Sequence, residues 1–462
     1  MSLFIVGLDV TIVNLALPSI RSELHASVAK LQWTIDAYTL VLASLLMVSG
    51  FTADRVGRRR TFQAGLVLFG LGSLLCGFAP TVDLLIVFRM LQAIGGSMLN
   101  PVAMSIITNT FTDPRERAQA IGVWGGVVGL SLAIGPVVGG ALVVGAGWRF
   151  IFWINVPVAL VAVLLTAFFV PESRAAVPRR IDPVGQVLVV LLLGGLTYGI
   201  IEGRSSGWGS PLIIGCLVVC VAALVSLVYY ERRREEPLLD PRFFRSAPFS
   251  GATLIAVCGF SALSGFLFLN SLYLQSVRGF TALHAGLLTL PMAAMTVVFA
   301  PVSGWLVGHR GPRVPLVVAG IMLVVSGLIL SQLTTTTATL HLLVAYLVFG
   351  LGFGMLNAPI TNAAVSGMPR AQAGVAAAIA STSRQVGASL GVAVAGTVLT
   401  ARLVGPFETG FVSAAQLCWY IIAGCGVLVL VLGLITTGTW ARRTAESVAA
   451  DLGKGGSSAP AR

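Results

Sequence analysis

Four ionisable side chains stand where a water-soluble chain would not put them. Asp9, Asp36, Arg89 and Arg384 lie well inside long apolar runs. A charge at the centre of a bilayer costs about 2.5–3.5 kcal/mol on insertion scales, so each is a candidate functional group by default. Desolvation raises a carboxylic acid's pKa and a neighbouring arginine lowers it. A carboxylate held between those influences changes protonation state near physiological pH. The chemistry expected of Asp9 and Asp36 is therefore proton carriage, with Arg89 as the counter-charge whose partner changes. Asp36 lies nearer the outer end of its run. Arg384, followed by Gln385, either contacts substrate or bridges helices. The four histidines, His25, His284, His309 and His341, fall in loops or near run ends, so the carboxylates are the better proton carriers.

Helices in a membrane must position these groups. Only 10% of the 462 residues are charged, against roughly 25% in an ordinary soluble domain. Hydrophobic residues make up 56%, so a soluble fold could not cover its own surface. Charge clusters, Pro/Gly breaks and apolar runs of about 20 residues divide the chain into about fourteen candidate spans, from 1–20 to 415–438. The net charge of +12 is topological in this reading. Of 29 basic residues, 21 fall in alternate loops and the tail, 6 fall on the opposite side, and Arg89 and Arg384 lie within spans. That asymmetry puts both termini in the cytoplasm. The first span has neither the basic n-region nor the cleavage site of a secretory signal, and is read as a retained helix of a chain that starts further upstream. The Gly-, Ser-, Ala- and Pro-rich tail, 441–462, is expected to be a disordered cytoplasmic segment.

The chain repeats itself. Arg117–Ala120 recurs as Arg370–Ala373, Met98-Leu99-Asn100-Pro101 resembles Met355-Leu356-Asn357-Ala358-Pro359, and Gly50–Arg60 parallels Gly304–Arg313, at offsets of 253, about 257 and 254. A common offset in equivalent places argues for a duplicated six-helix unit. Such repeats build transporters whose substrate site lies between the halves near the midplane. The expected organisation is all-α: a six-helix bundle over 1–170, a linker with two inserted spans over 171–246, and a second six-helix bundle over 247–440.

The most specific local signal is the loop around Gly50, Asp54, Arg55, Gly57, Arg58 and Arg59. Glycine permits a tight reversal between helices. Asp54 is expected to cap a helix N-terminus, and the arginines to anchor the loop at an anionic leaflet. In the second copy Gly308 stands in the Asp position. Gly135 and Pro136, with Gly139 and Gly140, break an apolar run where a helix interior normally has neither Gly nor Pro, predicting a kinked, closely packed helix. Asn14, Tyr38, Gln92, Asn100, Asn270, Tyr273, Asn357 and Asn362, with Arg384, are polar or aromatic groups that either line a substrate cavity or bond helix to helix.

The loop Gly50–Arg60 resembles the conserved loop of the major facilitator superfamily. Leu8-Asp9-Val10-Thr11-Ile12-Val13-Asn14-Leu15-Ala16-Leu17-Pro18 is similar to the first-helix motif of its fourteen-helix drug:proton antiporter branch. Arg89–Gly96, with Ala93 where Gly is usual, is similar to the fourth-helix motif. Gly135–Gly140, with Ser131 in place of an upstream glycine, resembles the fifth-helix antiporter motif. Trp148–Pro157 and Tyr273–Gly279 also look like this branch. The resemblance implies a major facilitator fold in a bacterial inner membrane, the 50–60 loop as a conformational gate, and Gly135-Pro136 as a kink between the halves favouring exchange over leak. It also implies export of drugs, antibiotics or other amphiphilic toxic compounds in exchange for protons. Export of a native lipid or metabolite, proton symport, and a non-transporting sensor are the alternatives.

Other classes lack their residues. A phosphate-cradling loop needs Gly-Lys-Ser/Thr, and the only lysines, Lys30 and Lys454, do not fit. No catalytic Ser/His/Asp set, haem motif or nucleic-acid module is present, so an enzyme is not expected. None of the six cysteines forms a C-x-x-C pair, so no metal is expected. No cofactor is expected either: the proton gradient is the driving force, the partners are an amphiphilic small molecule, protons and the bilayer, and the protein is expected to be a monomer.

Overall fold

A computed structural model describes residues 2–110, 114–174, 182–203, 206–234, 241–365 and 373–456. Every regular element among them is helical. In chain order these are α1 (Ser2–Glu23), α2 (Val28–Val56), α3 (Arg58–Gly77), α4 (Val82–Thr110), α5 (Pro114–Gly145), α6 (Phe150–Trp153), α7 (Asn155–Phe169), α8 (Pro183–Glu202) and α9 (Pro211–Glu231). There follow α10 (Ala247–Leu272), α11 (Ala282–Arg310), α12 (Arg313–Leu330), α13 (Thr339–Gly354), α14 (Asn357–Val365), α15 (Ala373–Arg402), α16 (Phe407–Ile435) and α17 (Thr439–Gly456). A 3₁₀ turn at Pro241–Arg245 leads into α10, and a π-helical turn at Tyr273–Val277 ends it. Local chemistry sets several boundaries. Ser27 and Ser210 accept from the N–H groups of Lys30 and Ile213, Asp182 caps α8, and prolines open α8 and α9.

Twelve helices among the described residues are long and apolar enough to cross a membrane, against the fourteen expected. The protein is thus a multi-span membrane protein. The other two expected spans fall on α5 and α15, continuous helices of 32 and 30 residues whose first turns include side chains outside the described set. The expected span 339–361 is two helices, interrupted at Met355-Leu356, and 150–170 is broken at Ile154.

The repeat has a structural counterpart in its turns. α2 meets α3 at Gly57 (φ 127°), and α11 meets α12 at Gly311 (φ 79°), an angle range L side chains rarely adopt. These glycines are 254 positions apart. Gly50, Asp54 and Arg55 do not form the reversal, because α2 runs on through Val56. The copies at Arg117–Ala120 and Arg370–Ala373 lie outside the residues whose side chains are described.

α3 packs on α4 and α7, and α2 on α4, while α10, α12, α13, α15 and α16 pack on one another. α5 meets α11, and α2 meets α15, between these groups. One end of the helices carries the arginine loops at Arg58–Arg60 and Arg310–Arg313 and is called the basic end; the other is the far end. α8 lies across the α2–α15 seam. Its Gln186 donates to the Ser44 carbonyl, its Glu202 accepts from Trp33 Nε1 at 2.9 Å, and Thr397 of α15 donates to its Ile200 carbonyl at 2.8 Å.

The expected disordered tail is a helix over most of its length. α17 buries Ala441, Ala445 and Val448, a spacing that falls on one helical face. Thr444 Oγ1 accepts from the Ala247 N–H at 3.0 Å, which closes the first turn of α10. Residues 457–462 lie outside the described set.

Candidate functional site

The first group of helices buries a charge pair. Arg89 projects from α4, and its Nη1 lies 2.5 Å from Asp9 Oδ2 on α1. Each side chain is 1% exposed. Removing either partner would leave a buried charge, so the surroundings must supply the remaining hydrogen bonds. They do. Arg89 Nη1 also donates to Gln92 Oε1 at 2.8 Å, and Nε donates to the Thr34 carbonyl at 3.1 Å. Its guanidinium stacks 4.2 Å from the Tyr38 ring centroid. Asp9 Oδ1 accepts from Gln92 Nε2 at 2.9 Å and Asn155 Nδ2 at 3.3 Å. Ser73 closes the network, accepting from Gln92 and Asn155 and donating to the Phe152 carbonyl. Five helices, α1, α2, α3, α4 and α7, converge on one ion pair.

Of the expected coupling residues, Asp9 and Arg89 come together and Asp36 does not join them. Asp36 is fully buried on α2 but turns toward α15, where Ser389 is its polar neighbour. Among the described residues neither Asp36 oxygen nor the Ser389 hydroxyl completes a hydrogen bond. Beside them Leu40 and Ala43 of α2, Leu193, Leu196 and Thr197 of α8, and Val386, Ser389 and Leu390 of α15 enclose a cavity of about 10 Å³. That is at the lower limit for one water molecule. Ser73, Asn155 and Ser389 were not anticipated. Asn155 had a legible signal as an amide in an apolar run, whereas serine is too common in spans to stand out.

The expected cavity residues divide. Gln92 belongs to the charge network, and Tyr38 lies under Arg89 with its hydroxyl unpartnered among the described residues. Asn270 accepts from the Tyr346 hydroxyl, and Tyr273 donates to the Thr334 carbonyl at 2.6 Å. Both are buried, so these two bond helix to helix or to loop and do not face an open cavity. Asn14 donates to the Val10 carbonyl. Asn14 and Asn100 each keep an amide oxygen free of partners among the described residues. Asn357 opens α14 half-buried, and Asn362 is exposed. Arg384, on α15, reaches Thr361 Oγ1 of α14 at 2.6 Å.

The gate loop differs from expectation in one respect. Asp54 does not cap a neighbouring helix; it pairs with Arg58 at 3.0 Å. The acceptor at the start of α3 is Glu172, just after α7, which takes the Arg59 and Arg60 N–H groups at 3.1 and 3.3 Å. Arg58 N–H donates to the Ser173 carbonyl. A Cβ at Gly57 would lie 2.6 Å from Glu172 Oε1, so glycine admits the carboxylate as well as the turn. Arg55 is exposed, and Gly50 has open space around it.

Gly135, Pro136, Gly139 and Gly140 bring α5 against both α1 and α11. A Cβ at Gly140 would lie 2.5 Å from Leu283 Cα, and one at Gly286 of α11 would lie 2.1 Å from the Pro136 carbonyl oxygen. Gly135 and Gly139 face Thr11 and Ile12 of α1. Close backbone approach of this kind requires small residues. Among the described residues, the hydrogen bonds that join the two helix groups directly lie toward the far end. Gln32 Nε2 of α2 donates to the Ala393 carbonyl of α15 at 2.8 Å, Ser271 to the Asn14 carbonyl, and Gln275 to the Leu15 carbonyl at 2.9 Å. Arg21 there stacks 3.9 Å from the Phe407 ring centroid. A surface pocket of about 410 Å³ between Glu23 and Asp83 is lined by none of the buried charges.

Comparison with known proteins adds sequence and fold relatives. The family model described as Major Facilitator Superfamily matches residues 1–392. The chain is 35% identical over 408 residues to the "Multidrug resistance protein Stp" of Mycobacterium tuberculosis, covering 88% of this chain and 76% of that protein. It is 36% identical over 410 residues to the "Tetracenomycin C resistance and export protein" of Streptomyces glaucescens, with the same two coverages. A crystal structure of a bacterial homologue of the human lysosomal transporter Spinster, inward-facing and unoccupied, superposes with a TM-score of 0.66 at 18% identity, covering 97% of this chain and 96% of that one. That likeness is one of fold.

Proposed function

The chain belongs to the major facilitator superfamily, and from that premise we propose that it exports drugs, antibiotics or other amphiphilic toxic compounds in exchange for protons. Relatives named for multidrug resistance and for antibiotic export support the export half of this reading. The observation that carries the coupling half is the pair of buried carboxyls in unlike surroundings. Asp9 is held by Arg89, Gln92 and Asn155 within one helix group. Asp36 lies on the seam between α2 and α15, in no ion pair among the described residues and with the Ser389 hydroxyl as its polar neighbour.

We count α5 and α15 as spans, giving fourteen, and assign the basic end to the cytoplasm of a bacterial inner membrane, with both termini there. The conformer described is then closed toward the outside. Alternating access moves the two halves relative to each other about a site near the midplane. α2 and α15 belong to different halves, so this motion changes the solvent access of Asp36, which loads and releases the proton. Asp9 and Arg89 sit within one half, and supply the fixed counter-charge and the helix orientation. Each proton entering through 100 mV contributes about 2.3 kcal/mol, enough for substantial accumulation with one or two protons. The exporter works as a monomer and needs no cofactor.

Everted vesicles test the reading. Adding a substrate from a toxicity panel should release protons from acidified vesicles that hold the intact chain. Asp36→Asn should reach the membrane and abolish that release. Full coupled transport by the variant would reject the assignment.

A further inference from the structure

Arg384, half-buried on α15, contrasts with the fully buried Arg89. Arg89 has three acceptors between 2.5 and 3.1 Å, one of them a carboxylate. Arg384 has one good acceptor, the neutral Thr361 hydroxyl at 2.6 Å. Its Nη1 reaches Ser381 Oγ only at 3.5 Å, and its buried Nε has no acceptor among the described residues. The Thr382 hydroxyl on the same helix is likewise unpartnered there. A guanidinium in a membrane span is costly unless paired, and a structural arginine normally fills its five donors.

The sequence withholds the pairing group. From Pro241 to Phe407 the chain contains no Asp or Glu, so the six helices α10–α15 carry no carboxylate. In the other half Asp9 is engaged by Arg89, and Asp36 faces Ser389. Among the described residues no carboxylate pairs with Arg384. The surroundings suit an amphiphile. The Phe260 ring of α10 lies 6.0 Å from the Arg384 guanidinium carbon, and Thr361 and Asn362 of α14 are exposed beside it. An aromatic face next to a guanidinium with unfilled donors suits an apolar body on one side and an anion on the other.

We propose that Arg384 is the anion-recognition residue of the substrate site, and that the cargo it selects is an amphiphile bearing one carboxylate or equivalent oxyanion. This rests on the export reading and adds the charge of the substrate. The anion meets the guanidinium's charge and its unfilled donors; a lysine ammonium keeps the charge without the planar fork.

The test uses a matched pair of probes, dansylaminoundecanoic acid and its methyl ester, with the full chain in zwitterionic-lipid proteoliposomes so that no lipid headgroup supplies the anion. Under an imposed pH difference the wild type should transport the acid faster than the ester. Arg384→Gln should lower the acid-to-ester rate ratio by about tenfold, the loss of one charge-assisted contact, while Arg384→Lys should lower it by less than about threefold. Equilibrium binding of the two probes to detergent-solubilised protein should follow the same order, and it decides the matter if flux is absent. A wild type that carries or binds the ester as well as the acid overturns the inference and leaves export standing. An unchanged ratio in Arg384→Gln also overturns it. Selective acid binding with no flux of either probe supports the inference and counts against the export reading.

Discussion

Arg89 of α4 and Asp9 of α1 form the one described ion pair in which both side chains are only 1% exposed. Arg89→Gln would strand the Asp9 carboxylate in the protein interior, costing about 3–5 kcal/mol. Asp9→Asn keeps an oxygen for Gln92 and Asn155, so the double variant should recover part of that loss. Thermal unfolding of the purified single and double variants measures this, and additive losses would mean that the two side chains do not interact.

A second prediction concerns the far-end closure. Gln32 donates to the Ala393 carbonyl, and a Cβ at Gly396 would lie 2.2 Å from Gln32 Cδ. Gly396→Val should therefore part α2 from α15. Gln32→Ala removes the amide that donates to the Ala393 and, more weakly, the Val392 carbonyl, a loss of about 1 kcal/mol or a roughly fivefold shift in the conformational equilibrium. With native cysteines replaced by serine, a probe Leu15→Cys should react faster with an impermeant maleimide added outside. An unchanged rate in both variants would show that this contact does not hold the far end shut.

The inserted hairpin makes a third. α8 walls the narrow space beside Asp36 and Ser389, and a seam too tight for a water chain blocks proton leak. Leu193→Ala with Leu196→Ala should enlarge that space and admit water to Asp36. Proteoliposomes with this variant should lose an imposed pH gradient faster without substrate. Gradient decay equal to the wild type would remove α8 from the seal.

The fourth tests the terminal helix. Ala441→Asp puts a charge into a fully buried position of α17, so the helix should undock and trypsin should cut at the exposed Arg442 and Arg443. Thr444→Val should be milder, because it removes only the acceptor for the Ala247 N–H, worth about 1 kcal/mol. Equal trypsin resistance in Ala441→Asp and wild type would mean that the docked face contributes nothing to retention.

Charge clusters, Pro/Gly breaks and apolar runs located the twelve spans that the structure supports among the fourteen expected, because burying a helix in lipid needs only length and apolar composition. The same reasoning isolated Asp9, Asp36, Arg89 and Arg384, since a charge in an apolar run is visible without any fold. Three segment matches at a common offset gave the repeat, and the structure adds a left-handed turn glycine in each copy, Gly57 and Gly311. Partners were another matter. The spans are apolar on nearly every side, so no 3.6-residue periodicity marks which face looks inward. Tertiary packing alone turned Asp36 toward Ser389 and away from Arg89, and used Asn270 and Tyr273 for helix bonds. It also brought Glu172 to the N–H groups of Arg59 and Arg60, 113 and 112 positions away. α17 is the reverse case. Ala441, Ala445 and Val448 carried a helical pattern that a reading by composition passes over, and docking on α10 turned that pattern into structure.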